Sequence, residues 1–173
     1  PMIETERLTL RPLTADDFEN VRALWSHAES EGLMRAEPMG REELERRRSV
    51  QVSLWNEQGY GMFAWIDRAN GAFVGEGGLS HFRRDFGPDF DDSPEAAWAL
   101  MPDYQGRRFA QEAMRAVHDW YRETFGACRT VCMIDPGNLP SIRLAQRLEY
   151  RAYDERDYRG AQVTLFERTT PGE

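Results

Sequence analysis

The sequence has 173 residues, of which 40% are hydrophobic and 30% are charged, a balance that suits one folded domain and argues against global disorder. Its formal net charge of −8 argues against general binding to nucleic acids and would favour a cationic acceptor. No apolar run approaches the ~20 residues that span a bilayer, and no signal peptide is apparent, so we expect a cytoplasmic protein that does not associate with membranes.

The N-terminal half predicts a strand, two helices and a hairpin. Residues 7–11 alternate between polar and apolar, and Pro12 ends the predicted strand. Thr14 precedes an acidic turn and apolar residues at helical spacing, which is typical of a helix N-cap. Asn70-Gly71 is a hairpin signal between two apolar runs. The predicted elements are strands over 7–11, 61–66 and 72–79 and helices after Thr14 and over 41–55.

The C-terminal half predicts alternating strands and helices. Pro102 stops a short strand, Gly126 suits a helix C-cap, and Asn138 is a candidate N-cap. Residues 86–93 are expected to form an acidic loop. The predicted elements are strands over 95–101 and 129–134, two strands within 150–166, and helices over 107–125 and 138–148. This order predicts a mixed α/β single domain.

The cysteines and histidines do not indicate a disulfide or a metal centre. Cys128 and Cys132 fall in one predicted strand, where four residues span roughly 13 Å, so they cannot bond to each other. We therefore expect two free thiols. His27, His81 and His118 show no metal-ligand spacing with one another or with the cysteines, so no metal site is expected.

The segment from residue 97 to 113 carries the main signal of function. A strand ends at Pro102, a short loop with Gly106 and two arginines follows, and a helix begins at once. The backbone N–H groups at a helix N-terminus lack intrahelical partners, so together with the arginines they would suit an anion such as pyrophosphate. A plain strand–loop–helix with two surface arginines is the alternative.

The residues from Gln105 to Ala110, Gln-Gly-Arg-Arg-Phe-Ala, resemble the acetyl-CoA pyrophosphate loop of the GNAT acetyltransferases, whose pattern is Gln/Arg-x-x-Gly-x-Gly/Ala. Arg108 stands where this pattern has glycine. If the position requires a positive φ, an arginine there costs about 1 kcal/mol or more, and it would also crowd the phosphates. Alternatively, its guanidinium supplies a charge-assisted contact to them.

Three further stretches resemble the same family in the same order. Residues 3–12 look like the opening of the branch that includes the ribosomal-protein alanine N-acetyltransferases, and 73–79 resemble its third strand. Residues 138–148 resemble its Asn-x-x-Ser helix, which lies close to the CoA tail. The glycine that usually follows this helix is Glu149 here, a second departure.

The resemblance implies a single GNAT domain over residues 1–173, with a mixed α/β (α+β) fold. Its central, mostly antiparallel sheet would have about six to seven strands, splayed into a V-shaped cleft and flanked by about four helices. In the family, the cleft holds the pantetheine arm of acetyl-CoA. The implied cosubstrate-binding residues are Trp98, Ala99, Leu100 and Met101 at the cleft strand, Gln105, Gly106, Arg107, Arg108, Phe109, Ala110 and Gln111 at the pyrophosphate, and Asn138 and Ser141 near the thiol.

The activity implied is the transfer of an acetyl group from acetyl-CoA to a primary amine, by direct attack in a ternary complex. A backbone N–H near Leu100 or Met101 would polarise the thioester. Glu95 is the first candidate for general base, followed by Glu76 and His81, and the alternative for each is a solvent-facing residue at a strand end.

Ser141 is the candidate general acid. Many relatives have a tyrosine four residues later, where this chain has Ala145, so a serine hydroxyl is what remains near the sulfur. The alternative is an ordinary serine in the first turn of a helix, whose hydroxyl satisfies a local backbone N–H.

The acceptor is open among a protein N-terminus, an antibiotic amine, a polyamine and an amino-acid-like metabolite. Acceptor-side residues would lie in the two early helices and in the loop over 82–93. A non-catalytic acyl-CoA-binding or regulatory module is the alternative function, motivated by Arg108 and Glu149. The resemblance also allows a homodimer, on which the sequence itself is silent.

Overall fold

The structure is a computed structural model that describes residues 1–30 and 40–169. Two single-turn 3-10 helices, Ala15–Asp17 and Pro102–Tyr104, accompany the regular elements. The strands and α-helices of the described chain are β1 (Ile3–Glu4), β2 (Leu8–Pro12), α1 (Phe18–Ser30), α2 (Arg41–Gln58), β3 (Met62–Asp67), β4 (Phe73–Ser80), α3 (Pro88–Asp91), β5 (Glu95–Leu100), α4 (Phe109–Phe125), β6 (Thr130–Ile134), α5 (Leu139–Arg147), β7 (Arg151–Tyr158) and β8 (Ala161–Arg168). None of the described helices is both long and apolar enough to cross a membrane.

All eight described strands form one sheet in the order β1-β2-β3-β4-β5-β6-β8-β7. Neighbouring strands are antiparallel except β5 and β6, which are parallel. Strand β5 pairs with β4 along its whole length but with β6 only through Glu95 and Val131. The two strands therefore separate directly after their N-terminal ends and leave a V-shaped cleft. The predicted mixed α/β fold with a splayed, mostly antiparallel sheet is confirmed.

Several predicted boundaries differ from the observed ones. The sheet has eight described strands rather than six or seven, since the two-residue β1 adds a short edge strand. The expected loop over 86–93 contains the one-turn helix α3, which is anchored by the buried Phe90. Helix α4 begins at Phe109 rather than at residue 107, because Arg108 adopts a left-handed conformation. Cys128 precedes β6 instead of lying in it, and both cysteines are free.

Helices cover both faces of the sheet. On one face, Trp98 and Leu100 of β5 pack with the apolar side of α4, including Phe109. On the other face, Ala97 packs with Val21 of α1. Because successive strand residues point to opposite faces, β5 presents different side chains to the two layers.

Helix α5 ends in a Schellman motif with Glu149 in the left-handed region, at φ 71°. The Tyr150 N–H donates to the Ala145 carbonyl at 2.9 Å, and the Glu149 N–H donates to the Gln146 carbonyl at 3.0 Å. Glycine is the usual residue at this position, because a Cβ in the left-handed region costs about 1 kcal/mol. Glu149, the second departure from the family pattern, therefore keeps the backbone geometry that glycine would adopt.

We expect Glu149→Gly to raise the free energy of unfolding by about 0.5–1 kcal/mol, because it removes the strained Cβ from an exposed site. Glu149→Ala is the matched control, since alanine keeps the Cβ and should give no comparable gain. Urea denaturation of the three proteins measures both effects. Equal stabilisation by alanine and glycine would show that the glutamate side chain, and not the backbone, is the source of strain.

Candidate active site

Strand β5 and helix α5 face each other across the cleft. The Trp98 Nε1–H donates to the Ser141 hydroxyl at 3.2 Å. The Ser141 backbone N–H donates to the Asn138 side-chain oxygen at 3.3 Å, so Asn138 caps α5 as predicted. The Ser141 hydroxyl is therefore not occupied with capping its own helix. Because it accepts from Trp98, it keeps its own proton for donation to another group.

The backbone of β5 is divided between β4 and the cleft. The Met101 N–H donates to the Val74 carbonyl at 2.8 Å, so it is not available to polarise a thioester, which corrects one of the two predicted donors. Along a strand, neighbouring N–H groups point to opposite edges. The Leu100 N–H therefore faces the cleft, with that of Trp98, where β5 has no partner strand.

The loop before α4 has the geometry of an anion site. Gly106 has φ 76°, and Arg108 has φ 61° directly before the first helical residue, Phe109. Arg108 thus adopts a left-handed conformation at the position where the family pattern has glycine. Beside it lies an open groove of about 400 Å³, lined by Arg7, Arg108, Gln111, Glu112, Arg115, Ala116 and Asp119. Its three arginines outnumber its two acids, one of which is paired with Arg7, so the end of the groove next to Arg108 and the helix N-terminus favours a bound anion.

Arg7 of this groove is already engaged. Its Nε donates to Glu112 at 2.8 Å, and its guanidinium lies 3.8 Å from the centre of the Phe109 ring. Arg108 forms no ion pair with any residue in the described part of the chain. The arginine that departs from the family pattern therefore has no carboxylate partner among the described residues, and its charge can meet a ligand.

Glu95, the first candidate base, is buried and ion-paired. The residue is 3% exposed, and its two carboxylate oxygens accept from Arg84 at 3.0 Å (Nε to Oε1) and 2.9 Å (Nη2 to Oε2). Arg84 also donates to the Tyr158 hydroxyl at 2.8 Å. Burial disfavours the charged guanidinium, but Glu95 and Tyr158 outweigh this and raise the pKa of Arg84. The alternative of a solvent-facing Glu95 is wrong, since β5 begins inside the protein.

Glu76 is fully buried and anchors two helices to β4. One of its oxygens accepts from the Trp25 Nε1–H at 2.8 Å, and the other accepts from Arg48 at 2.9 Å. The expected alternative of a solvent-facing strand residue is wrong here too. Because both oxygens are bonded to α1 and α2, the geometry favours a structural role for this carboxylate over that of a base.

His81 and Glu95 line the same small cavity, of about 200 Å³. The His81 Nε2 lies 2.8 Å from the Tyr60 hydroxyl. Burial lowers the pKa of His81, although Glu95 and a backbone hydrogen bond with Asp91 act in the opposite direction. The structure therefore brings together two of the three candidate bases and keeps Glu76 apart from them.

The partners of Glu95 could not be predicted from the sequence. Arg84 is 11 residues from Glu95 along the chain and 74 from Tyr158, so no periodicity or spacing connects them. Asp91 also lines the small cavity, and it falls in the segment over 86–93 that was predicted to be a loop. Only the run of charged residues in this segment could have drawn attention to it.

Comparisons with known proteins agree with this geometry. Residues 7–151 match the family model described as an acetyltransferase (GNAT) domain. A putative GnaT-family acetyltransferase from Bordetella pertussis has 34% identity and a TM-score of 0.84, and the match covers 98% of this chain and 99% of that one. An acetyltransferase from Agrobacterium tumefaciens has 26% identity and a TM-score of 0.80, with 98% and 95% covered.

A curated relative shares a shorter region. YkkB of Bacillus subtilis, an uncharacterised protein, is 33% identical over 97 residues, which are 54% of this chain and 53% of that protein. The match thus spans about half the length of this relative.

We expect Arg84→Gln to lower the free energy of unfolding by about 3 kcal/mol, because it leaves the buried Glu95 carboxylate without its cationic partner. The neighbouring Arg83→Gln is the control, since Arg83 is exposed and its loss should change stability by about 0.5 kcal/mol or less. Chemical denaturation measures both. Equal effects at the two positions would contradict a stabilising role for the Arg84–Glu95 pair.

Proposed function

The chain belongs to the GNAT acetyltransferase family, and on this premise we propose that it moves an acetyl group from acetyl-CoA to a primary amine by direct attack in a ternary complex. The observation that carries the proposal is the cleft between β5 and β6, with Trp98 and Ser141 joined across it and the anion site of α4 beside it.

The residues around the cleft fit the parts of acetyl-CoA. The N–H groups of Gly106 to Gln111, with the Arg107 and Arg108 side chains, suit the pyrophosphate. The unpaired edge of β5 suits the amide groups of the pantetheine arm, which would add to the sheet as a further strand. The Leu100 N–H, directed into the cleft, would stabilise the negative charge that develops on the thioester oxygen.

The two faces of β5 would separate the two substrates. Trp98 packs on the face of the sheet that α4 and α5 cover. Glu95 lies on the opposite face, beside Ser80 of β4, whose hydroxyl donates to Gln51 of α2. Acetyl-CoA would thus enter on the side of Ser141 and the amine on the side of Glu95. The V-shaped gap lets the two meet at the thioester carbon.

The proposed proton transfers follow from this arrangement. The acceptor ammonium loses a proton to Glu95 through a water molecule, since both oxygens of this carboxylate already accept hydrogen bonds from Arg84. The amine nitrogen then bonds to the thioester carbon, its second proton passes to solvent, and the C–S bond breaks to leave the amide and a thiolate. The Ser141 hydroxyl donates a proton to the leaving sulfur and is reprotonated from solvent.

The two departures from the family pattern do not argue against an active enzyme. The two departures that motivated the alternative, Arg108 and Glu149, both adopt the left-handed conformation expected of the glycines that they replace. The loop before α4 and the end of α5 therefore keep backbone conformations that glycine would adopt.

The proposal is tested by measuring thiol release from acetyl-CoA with a library of amines. We expect transfer to at least one primary amine, with sequential kinetics, because direct attack forms no acetyl-enzyme. Ping-pong kinetics with an isolable acetyl-cysteine would refute the mechanism. Binding of acetyl-CoA without transfer to any amine would favour the non-catalytic module.

We expect Arg108→Gly to weaken CoA binding about tenfold and to make it less dependent on salt, because a charge-assisted phosphate contact is lost. Titration calorimetry at several salt concentrations measures this, and Arg122→Gln, an exposed arginine in the last turn of α4, is the control. Tighter binding by Arg108→Gly would show that Arg108 obstructs the site.

Gly106→Pro should abolish CoA binding in a folded protein, since proline cannot adopt φ 76°.

We expect Ser141→Ala to lower kcat by about 10–100-fold while the KM for acetyl-CoA stays unchanged, because water partly replaces the proton donor. Glu95→Gln should flatten the acidic limb of the kcat/KM profile against pH. Steady-state kinetics over a range of pH measures both. Full activity of Ser141→Ala would refute the acid assignment and leave positioning of the substrates as the source of catalysis.

A further inference from the structure

The small cavity of about 200 Å³ that His81 and Glu95 line lies between the end of β4, helix α3 and the start of β5. It is next to the point where β5 and β6 separate, at the register pair of Glu95 and Val131. Phe82 and Phe90 form apolar parts of its wall. A ligand here would lie on the Glu95 face of β5, across the strand from Trp98 and Ser141.

One carboxylate of the cavity wall has an unused oxygen. The Asp91 Oδ2 accepts from the Gly87 N–H at 2.8 Å, whereas its Oδ1 is buried and has no hydrogen-bond donor among the described residues. A buried acceptor without a partner costs about 1–3 kcal/mol, and such groups are rare in folded proteins. Asp91 is therefore suited to a donor that comes with a ligand.

The charge of the cavity favours a cation near Asp91. The Glu95 charge is compensated by Arg84, and burial lowers the pKa of His81, which favours its neutral imidazole. At the exposed rim, Arg83 and Asp85 offset each other formally. Asp91 forms no ion pair within the described residues. The lining thus carries one uncompensated negative charge, at the carboxylate with the unused oxygen.

Backbone strain is concentrated in the same wall. Arg83 has φ 54° and Asp85 has φ 61°, and these two residues flank Arg84, which turns inward to reach Glu95. Left-handed conformations of non-glycine residues cost about 1–3 kcal/mol each and are frequent at ligand-binding sites. The loop is therefore held in a conformation that its own residues disfavour.

We propose that this cavity is the acceptor pocket and that Asp91 recognises the protonated amine of a short, apolar-chain primary amine. The ammonium group brings three N–H donors, and a small rotation of the carboxylate about its Cβ–Cγ bond would present Oδ1 to them. The hydrocarbon chain would lie against Phe82 and Phe90. This inference rests on the proposed function, in which Asp91 positions the amine and Glu95 accepts its proton through water.

The binding test uses the full chain saturated with CoA and two probes of nearly equal shape, n-butylamine and n-butanol. We expect n-butylamine to bind at least tenfold more tightly than n-butanol in titrations followed by NMR. Asp91→Asn should reduce affinity for the amine at least tenfold and leave that for the alcohol unchanged. Asp92→Asn, at the exposed neighbouring position, is the matched control and should bind as the wild type does.

Asparagine keeps an oxygen that can accept from the Gly87 N–H, so the thermal midpoint of Asp91→Asn should stay near that of the wild type. If this midpoint falls, Phe82→Trp tests the location of the amine site instead. This variant narrows the cavity without changing Asp91, and it should weaken n-butylamine binding. Equal affinity of the two probes, or unchanged amine affinity in Asp91→Asn, would overturn the inference.

Kinetics separate this inference from the proposed function. We expect Asp91→Asn to raise the KM for n-butylamine at least tenfold while kcat and the KM for acetyl-CoA stay near the wild-type values. Transfer to amines by the wild type with an unchanged amine KM in Asp91→Asn would refute the inference alone. Binding of n-butylamine through Asp91 without transfer to any amine would refute the proposed function alone.

Discussion

The parallel strands β5 and β6 keep a single register pair, Glu95 with Val131, and the rest of the site depends on their separation. Beyond this pair, the cleft edge of β5 has N–H and C=O groups without a partner strand, and such an edge is suited to an added ligand strand. The burial of Glu95 and its ion pair with Arg84 hold β5 at the point where it separates from β6. Further along β5, the hydrogen bond from Trp98 to Ser141 defines the position of the strand relative to α5.

Buried ionic groups hold the layers in place on the other face of the sheet. Glu76 bonds to Trp25 of α1 and to Arg48 of α2, so one carboxylate connects both helices to β4. A buried carboxylate is costly unless it is paired, and removing one partner leaves the other charge uncompensated. The ion pair of Glu95 with Arg84 has the same character, but it lies beside a cavity. The two acids lie on neighbouring strands and are both paired, but of the two only Glu95 lines the cavity.

Left-handed backbone conformations of non-glycine residues occur at both departures from the family pattern and beside the small cavity. Arg108 and Glu149 keep left-handed backbones where glycine is usual, and the surrounding hydrogen bonds enforce the geometry. Arg83 and Asp85 adopt similar conformations at the rim of the small cavity. At each of these positions the side chain is charged. A charged side chain at such a position can form a charge-assisted contact with a ligand, which glycine cannot do.

The sequence by itself determined the order of the seven longer strands and four longer helices within residues 1–30 and 40–169, but not β1 or α3. It also determined the caps at Thr14, Gly126 and Asn138 and the loop from Gln105 to Ala110, because these features depend on local periodicity and turn chemistry. Through the family resemblance it also predicted Trp98 at the cleft strand and Ser141 near the thiol, but not the hydrogen bond between them. Only the tertiary structure decided that Glu95 and Glu76 are buried, which partners compensate their charges, and that His81 and Asp91 line one cavity. These facts rest on contacts between residues far apart in the chain, and no local pattern encodes which buried charge meets which partner.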